Sequence, residues 1–561
     1  MKRIALLLAL GCAAYANTFD HPFIYDDLVA IADNPQIRSL EPSVALAPLQ
    51  ESPTAGRPLL NASFALNYAV GGLRVAGYHA VNLALHLACG LLLLGIVRRT
   101  CMSKRLPDIV RRRSDEIAFA SALLWILHPL NTEAVDYLTQ RSETLMAVCY
   151  LATIYAVARR MPVAAVVACA AGMACKESMV TAPVAALLYD RAFLSDSWGS
   201  AFRARWRTYV GLAATWIVLG TLMVQAPRPR TVGFNAGVTA WTYLLNQAEM
   251  VTRYFMLVVW PRALVLAYGP PRTLTLVDVL PQAALVLALL AGAVVLFLRR
   301  PAAGFAGVWV FLTLAPTSSI VPIVSEVGAE RRMYLPLAGL IPLIVASAIV
   351  VWERLQPRQS TGLRAGALAI IAALAAFGTL VRNRDYRSPL AMAETVAARW
   401  PTAYAETMVG ASLGLEGRHD EAVQRLRPAV DGYPQARYFL GVELFETGAL
   451  QDAIDQLDQY IAGDPRRAEA VRASTIVEQA HARIADAAFA ERRFAEAETH
   501  YLAYLRTAPN DEKAVTNLGV SLASQGRLTE AIVQFRRAVE LSPGSASARQ
   551  NLLRAQAMLE R

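Results

Sequence analysis

Charged residues are scarce in this chain of 561 residues: Asp, Glu, Lys and Arg make up 17%, against 55% hydrophobic residues. So little charge over so long a chain excludes a disordered polymer and argues for segments that never meet water. Cysteine is sparse too. All six (Cys12, Cys89, Cys101, Cys149, Cys169 and Cys175) lie in or beside apolar stretches, and none follows residue 175. That excludes a disulfide framework or a cysteine-based zinc site as the basis of the fold. Histidine numbers only seven. His79 and His86 share a helical face but stand about 10 Å apart along its axis, too far for one ion. The net charge of +10 is compatible with nucleic acid. No nucleic-acid motif accompanies it, however, and much of the Arg and Lys sits in short loops between apolar runs, where it orients a membrane protein.

What is present is a series of apolar runs. Lys2-Arg3 followed by a run ending at Ala14-Tyr15-Ala16 has the form of a cleavable signal peptide and also of a short first helix; the helix is taken as retained. The next long run is 78–97, and it ends in Arg98-Arg99 and the most basic loop of the chain, with Arg111-Arg112-Arg113. That loop is expected inside and residues 20–77 outside. Runs at 117–130, 143–157, 161–175, 178–193, 209–224, 276–298, 306–323, 334–352 and 364–380 then alternate. With the first helix they give about eleven crossings and place the C-terminal part outside. The run 241–260 carries Asn246, Gln247, Glu249 and Arg253, and reads as a re-entrant or cavity-lining helix.

The first external loop opens with Tyr25-Asp26-Asp27. A lone Asp pair caps a helix or solvates a turn as readily as it does chemistry. Its place at a bilayer surface, with basic residues at other external span ends, also suits a base that activates a hydroxyl.

Residues 400–561 form a repeat array. Gly410, Gly441, Ala485 and Gly519 are each followed twelve residues later by Ala422, Ala453, Ala497 and Ala531, and then by Pro434, Pro465, Pro509 and Pro543. Leu426, Leu457, Tyr501 and Phe535 fill the large apolar position between them. Small residues allow close helix approach, the large one fills the contact, and Pro ends the second helix. About four repeats are expected, with a capping helix after residue 546 and a helical extension around Arg466 to Glu478.

Together these stretches resemble a known family, the transmembrane and tetratricopeptide-repeat O-mannosyltransferases of the C-type glycosyltransferase superfamily, distant kin of the protein O-mannosyltransferases. The resemblance rests on Phe23-Ile24-Tyr25-Asp26-Asp27 with Asn34-Pro35; Arg57-Pro58; Gly77-Tyr78-His79-Ala80-Val81-Asn82 to His86; His128-Pro129-Leu130-Asn131-Thr132-Glu133; Arg141-Ser142-Glu143; Lys176-Glu177; and Glu330-Arg331-Arg332-Met333-Tyr334. It implies an all-α protein: a polytopic helical glycosyltransferase core over 1–399 with its external loop at 20–77, then a tetratricopeptide-repeat solenoid over 400–561. The Ala- and Arg-rich composition suggests a bacterial member, placed in the inner membrane with site and repeats on the periplasmic face.

Physical reasoning gives the expected chemistry. Nucleotide sugars are absent from the outer face, so the donor there must be a sugar carried on a polyprenyl phosphate. The reaction is then an inverting displacement by a protein hydroxyl. The resemblance assigns the base to Asp26, and Asp27 orients the acceptor or tunes that base. Arg141, Lys176, Arg331 and Arg332 are the candidates for the donor phosphate. Tyr25, Arg57, His79, His128, Glu133, Glu143, Glu177, Glu330 and Tyr334 are the candidates for the surrounding pocket. The partners expected are the polyprenyl-linked sugar, a protein acceptor bound by the repeats, and membrane lipid, with no nucleic acid. No cofactor or metal ligand set is called for, and a divalent cation is left open. Two other readings are a membrane-anchored repeat scaffold for envelope assembly and a transferase with a lipid or glycan acceptor.

Overall fold

The computed structural model describes residues 1–50, 52–225, 232–234, 237–355, 361–463 and 468–561. Pro465 and Arg466, and Arg358 of the loop after residue 352, lie outside them. The regular elements of the described residues are all helices, apart from one isolated bridge between Val232 and Ile323. The chain divides into two compact units, Met1–Trp400 and Pro401–Arg561.

Five helical segments of the first unit are long and apolar enough to cross a membrane: Val75–Cys101, Trp198–Gln225, Val277–Arg299, Glu330–Leu355 and Gly362–Arg387. They make it an integral membrane unit. Six further expected crossings fall on shorter helices, among them Lys2–Ala14, Ser114–Ile126 and Pro162–Met173. At 1.5 Å per residue a helix of such length covers about 20 Å, less than the roughly 30 Å hydrocarbon layer. Helix length alone therefore supports five spans, not the count of eleven. Residues 241–260 form the helix Ala240–Val259, outside those five. Its buried Asn246 and Gln247 donate to the carbonyls of Arg272 (2.8 Å) and Val327 (2.9 Å), which gives both NH₂ groups protein partners.

Ion pairs mark the two ends of the unit. At one end Arg113 reaches Glu353 (2.6 Å), Arg364 reaches Glu116 (3.2 Å) and Glu353 (2.7 Å), and Arg105 reaches Asp196 (2.7 Å). The basic loop thus shares its end with Glu353, Arg364 and the start of Trp198–Gln225. The opposite end holds the first loop, which builds a small core of its own from Ala30, Ile31, Ile37, Leu60, Phe64 and Tyr78 with Leu138. Asn34 ties this loop together. Its amide donates to the carbonyl of Ala30 and to Asn61 Oδ1, both at 3.0 Å, and its oxygen accepts from Gln36 N.

The second unit is a stack of antiparallel helix pairs. Ala403–Leu415 pairs with His419–Leu426, Ala436–Glu446 with Leu450–Gly463, Ala468–Ala490 with Phe494–Thr507, and Glu512–Ser524 with Leu528–Leu541; Ala546–Leu559 closes the array. The predicted small and large positions meet. A Cβ added to Gly410, Gly441 or Gly519 would lie 2.4, 2.4 or 2.6 Å from Leu426, Leu457 or Phe535 respectively. Ala422, Ala453, Ala497 and Ala531 are fully buried. The extra residues of the long interval sit in the 23-residue helix Ala468–Ala490.

Candidate functional site

Asp26 and Asp27 sit at a sharp turn, and Tyr25 before them holds a left-handed backbone with φ of +45°. That region is unfavourable for a non-glycine residue and persists only where its surroundings fix it. Here the Tyr25 hydroxyl donates to the carbonyl of Pro389 (2.9 Å). Asp27 is turned inward and fully buried. It accepts from the amide of Thr139 (2.6 Å), from the Thr139 hydroxyl and from the amide of Ile24 (3.1 Å). Burial pushes its carboxyl up to about 7, against the lowering effect of those hydrogen bonds. Asp26 faces the other way, and its amide donates to the Tyr137 hydroxyl (3.0 Å). Its carboxylate is exposed to a cavity yet ringed by protein. Desolvation raises its pKa, while Arg331 and Arg57 lower it and Glu326 raises it.

That cavity has a volume of about 690 Å³. Asp26, Arg57, Thr139, Glu143, Lys176, Glu177, Glu326, Arg331 and Arg332 line its polar part, and Val29, Val180, Leu219, Met223, Val321 and Leu335 give it apolar walls. Seven of the residues singled out from the sequence therefore meet here, although they come from five separate stretches of chain. Each cation has a carboxylate beside it. Arg57 pairs with Glu177 (3.1 Å), Lys176 with Glu143, and Arg331 with both Glu133 and Glu326 (2.6 Å to the latter). Arg332 differs: it is held mainly by the carbonyls of Thr317 (2.9 Å) and Glu326 (2.9 Å), with Glu326 Oε2 at 3.4 Å. Carbonyl dipoles offset only part of a full charge, so Arg332 keeps the most charge for an incoming anion. Burial lowers the pKa of Lys176 despite Glu143, and an anionic ligand would stabilise its charged form.

The remaining predicted residues lie elsewhere. Glu133 is buried behind Arg331 and orients it. Arg141 does not line the cavity. It is fully buried and donates to Asn82 Oδ1 (2.7 Å) and to the carbonyls of Tyr78 (3.0 Å) and Ser63 (3.2 Å), with Phe64 4.6 Å from its guanidinium. It braces the first loop. His79 is bound to the carbonyl of His21 (3.1 Å), and His128 to that of Val258 (3.0 Å). Tyr334 shares its hydroxyl with His86 Nδ1 (2.7 Å), in a buried cluster where Trp125 lies 4.9 Å from the His86 ring. Glu330 accepts from the amide of Val265 (2.6 Å) and the Tyr268 hydroxyl (3.2 Å). These four are internal struts because their side chains turn toward neighbouring segments of the chain, a direction that spacing within one segment does not reveal. Among the described residues no group of three or more His, Cys, Asp or Glu side chains is arranged to hold a metal ion.

Three neighbours of the site escaped the sequence. Thr139 and Tyr137 are uncharged and carried no signal. Glu326 carried one: it is the sole charged residue between Arg300 and Glu330.

Comparison with known proteins agrees with the architecture. The tetratricopeptide-repeat family profile matches residues 416–468 and 482–546. Protein O-mannosyl-transferase Tmtc1 of Drosophila melanogaster is 30% identical over 299 residues, which is 46% of this chain and 33% of that protein. Tmtc2 of the same organism is 28% identical over 303 residues, 48% of this chain and 31% of that one. Tmtc3 is 25% identical over 629 residues, 96% of this chain and 64% of that one. The chain thus spans about a third of the length of two of these relatives and just under two thirds of the third. By its motifs, its helical core and its repeats, it is a relative of the transmembrane and tetratricopeptide-repeat protein O-mannosyltransferases.

Proposed function

We propose that the chain is a glycosyltransferase that moves a mannose-like sugar from a polyprenyl-phosphate donor to a protein hydroxyl. The observation that carries this reading is one cavity with an exposed carboxylate, Asp26, near the cations Arg57, Lys176, Arg331 and Arg332. In the reaction the acceptor oxygen bonds to the anomeric carbon while the bond from that carbon to the phosphate oxygen breaks. Asp26 takes the hydroxyl proton. The electron pair leaves with the lipid phosphate, whose growing charge Arg332, Lys176 and Arg331 stabilise. The configuration inverts because a single displacement occurs. Since the cations are already paired, the phosphate must take the place of a carboxylate, and Glu143 and Glu326 are the ones to yield. The repeats present the acceptor polypeptide, and site and repeats face the periplasm of a bacterial inner membrane. The names of the fly relatives favour a protein acceptor over a lipid or glycan one.

The test is transfer of labelled sugar from polyprenyl phosphate to membrane-associated protein. Asp26→Asn keeps the side chain's shape and removes the proton acceptor, so the rate should fall about 100- to 10,000-fold. Donor binding should persist in that variant and weaken in Arg332→Ala. Full transfer by Asp26→Asn at wild-type expression would remove Asp26 from the chemistry. A wild type that labels no acceptor from any sugar donor would favour the scaffold.

A further inference from the structure

A second cavity of the membrane unit, of about 830 Å³, has a different character. Its walls are apolar side chains of Tyr334–Leu355 and Thr361–Asn383, including Ile344, Ile371, Leu374 and Phe377. These four are exposed, at 48%, 52%, 66% and 66%. Both helices fall in segments able to cross a bilayer, so the apolar stretch of the groove lies at hydrocarbon depth. At one end the lining changes to Arg262, Arg382 and Arg399, with Trp260 beside them, and no carboxylate lines the groove. Trp260 is 63% exposed and packs 4.6 Å from the Arg262 guanidinium. An aromatic ring and basic side chains at the end of apolar helices mark the level of lipid headgroups.

Arg382 is the telling residue. Its side chain is only 3% exposed. Its Nη1 binds Asp385 at 2.8 Å, but Nε makes no hydrogen bond and Nη2 lies 3.7 Å from Glu330 Oε2, beyond hydrogen-bond reach. Arg399 shares the same Asp385 at 2.8 Å and also donates to the carbonyl of Leu264 at 2.7 Å. Asp385 thus serves two guanidiniums, Glu330 is a more distant ion-pair partner of Arg382, and Arg262 adds a third cation. Three guanidiniums gathered at the end of an exposed apolar groove that no carboxylate lines suit an anion that carries its own hydrocarbon.

From this we infer that the groove binds an anionic membrane phospholipid, its phosphate against Arg262, Arg382 and Arg399 and its acyl chains along Ile344, Ile371, Leu374 and Phe377. The site is separate from the cavity at Asp26 and does not depend on the transfer reaction. A zwitterionic lipid brings its own ammonium to the same arginines and is held less well.

Trp260 provides the readout. The full chain is reconstituted in phosphatidylcholine vesicles with a minor fraction of phosphatidylglycerol brominated on its acyl chains. The emission that Trp260→Phe removes is followed. Phosphatidylglycerol should quench it at about a tenth of the lipid fraction that brominated phosphatidylcholine needs, the ratio a charged hydrogen bond supplies. Arg262→Gln with Arg399→Gln should erase that preference. Ala375→Phe fills the groove without touching an arginine and should reduce quenching by either lipid, which keeps the test decisive if the double variant fails to fold. Equal quenching by the two lipids, or a preference that survives both variants, overturns the proposal. So does restoration of the emission by polyprenyl phosphate at lower concentration than by unbrominated phosphatidylglycerol, since the groove would then belong to the donor.

Discussion

Thr139 grips Asp27 twice, its amide and its hydroxyl both donating to the same carboxylate oxygen, while the other oxygen accepts from the amide of Ile24. Asp27 is thereby a clamp. It closes the turn that forces Tyr25 to φ of +45° and sends the Asp26 side chain into the cavity. The two adjacent acids, which the sequence offered as a catalytic pair, have opposite exposures and separate tasks.

The first prediction separates those tasks. Asp27→Asn puts an NH₂ group where one or two donors already converge, so at least one is left unpaired. That should cost about 1–3 kcal/mol of stability, seen as a lowered unfolding temperature, and transfer should drop with it. Asp26→Asn should slow transfer at an unchanged unfolding temperature. If the two variants unfold alike, Asp27 is not a clamp.

The second prediction concerns pH. In the proposed reaction Asp26 acts deprotonated, and burial raises its pKa, so kcat/KM should fall with decreasing pH at a higher pH than an ordinary Asp (about 3.9) would give. Arg331 lowers that pKa and Glu326 raises it. Arg331→Gln should therefore move the acid limb to higher pH, and Glu326→Gln should move it to lower pH. Asp27 adds a stability term of the opposite slope to a paired carboxylate. Its folded value of about 7 exceeds the unfolded one of about 3.9. The protonated form is thus favoured in the fold, and its contribution is fully present at low pH and lost as pH rises toward 7. Limbs that shift together, or not at all, would refute the charge arrangement around Asp26.

The repeats were legible from sequence almost in full because each contact there joins residues about sixteen apart, Gly519 and Phe535 for example, and recurs with a period. The membrane unit was legible as apolar runs and as polar residues at their ends. What could not be read was direction. Arg141 and Arg331 look alike in sequence, each basic and each at the end of a run, yet one is bolted to Asn82 and the other opens on the cavity. The angle of each helix about its axis decides this, and partners 59 to 198 positions away set that angle. Thr139 was invisible for a simpler reason: a hydroxyl that satisfies a buried carboxylate carries no charge and follows no period.

The third prediction is topological. Arg113, Glu353 and Arg364 share one end of the membrane unit, and Asp26 and Arg331 share the other. Reporter enzymes fused after Ser103 and after Trp400 should therefore report opposite sides, with the basic loop inside. The same side at both points would break the assignment of the site and repeats to the external face.

The last prediction concerns the array and one residue that departs from its own repeat. Gly417, Gly448 and Gly526 each follow the small residue of their unit by seven positions, and each turns with a left-handed backbone, φ of +75°, +84° and +80°. Between the helices of the third unit the equivalent position is Arg492, and it adopts the same conformation at φ of +63°. An L-residue with a Cβ costs roughly 1–2 kcal/mol in that region, and glycine does not. Glycine gives back some of that difference through the greater freedom of its unfolded chain. Arg492→Gly should therefore stabilise the repeats by about 1 kcal/mol, while Gly526→Ala should destabilise them by a similar amount. Gly519→Ala should do more harm than Gly526→Ala, because its Cβ would meet the Phe535 ring at 2.6 Å, whereas nothing lies within 4 Å of a Cβ at Gly526. Denaturant unfolding of the 401–561 fragment measures all three. A destabilising Arg492→Gly, or a Gly519→Ala no worse than Gly526→Ala, would show that the repeat register assigned to the third and fourth units is wrong.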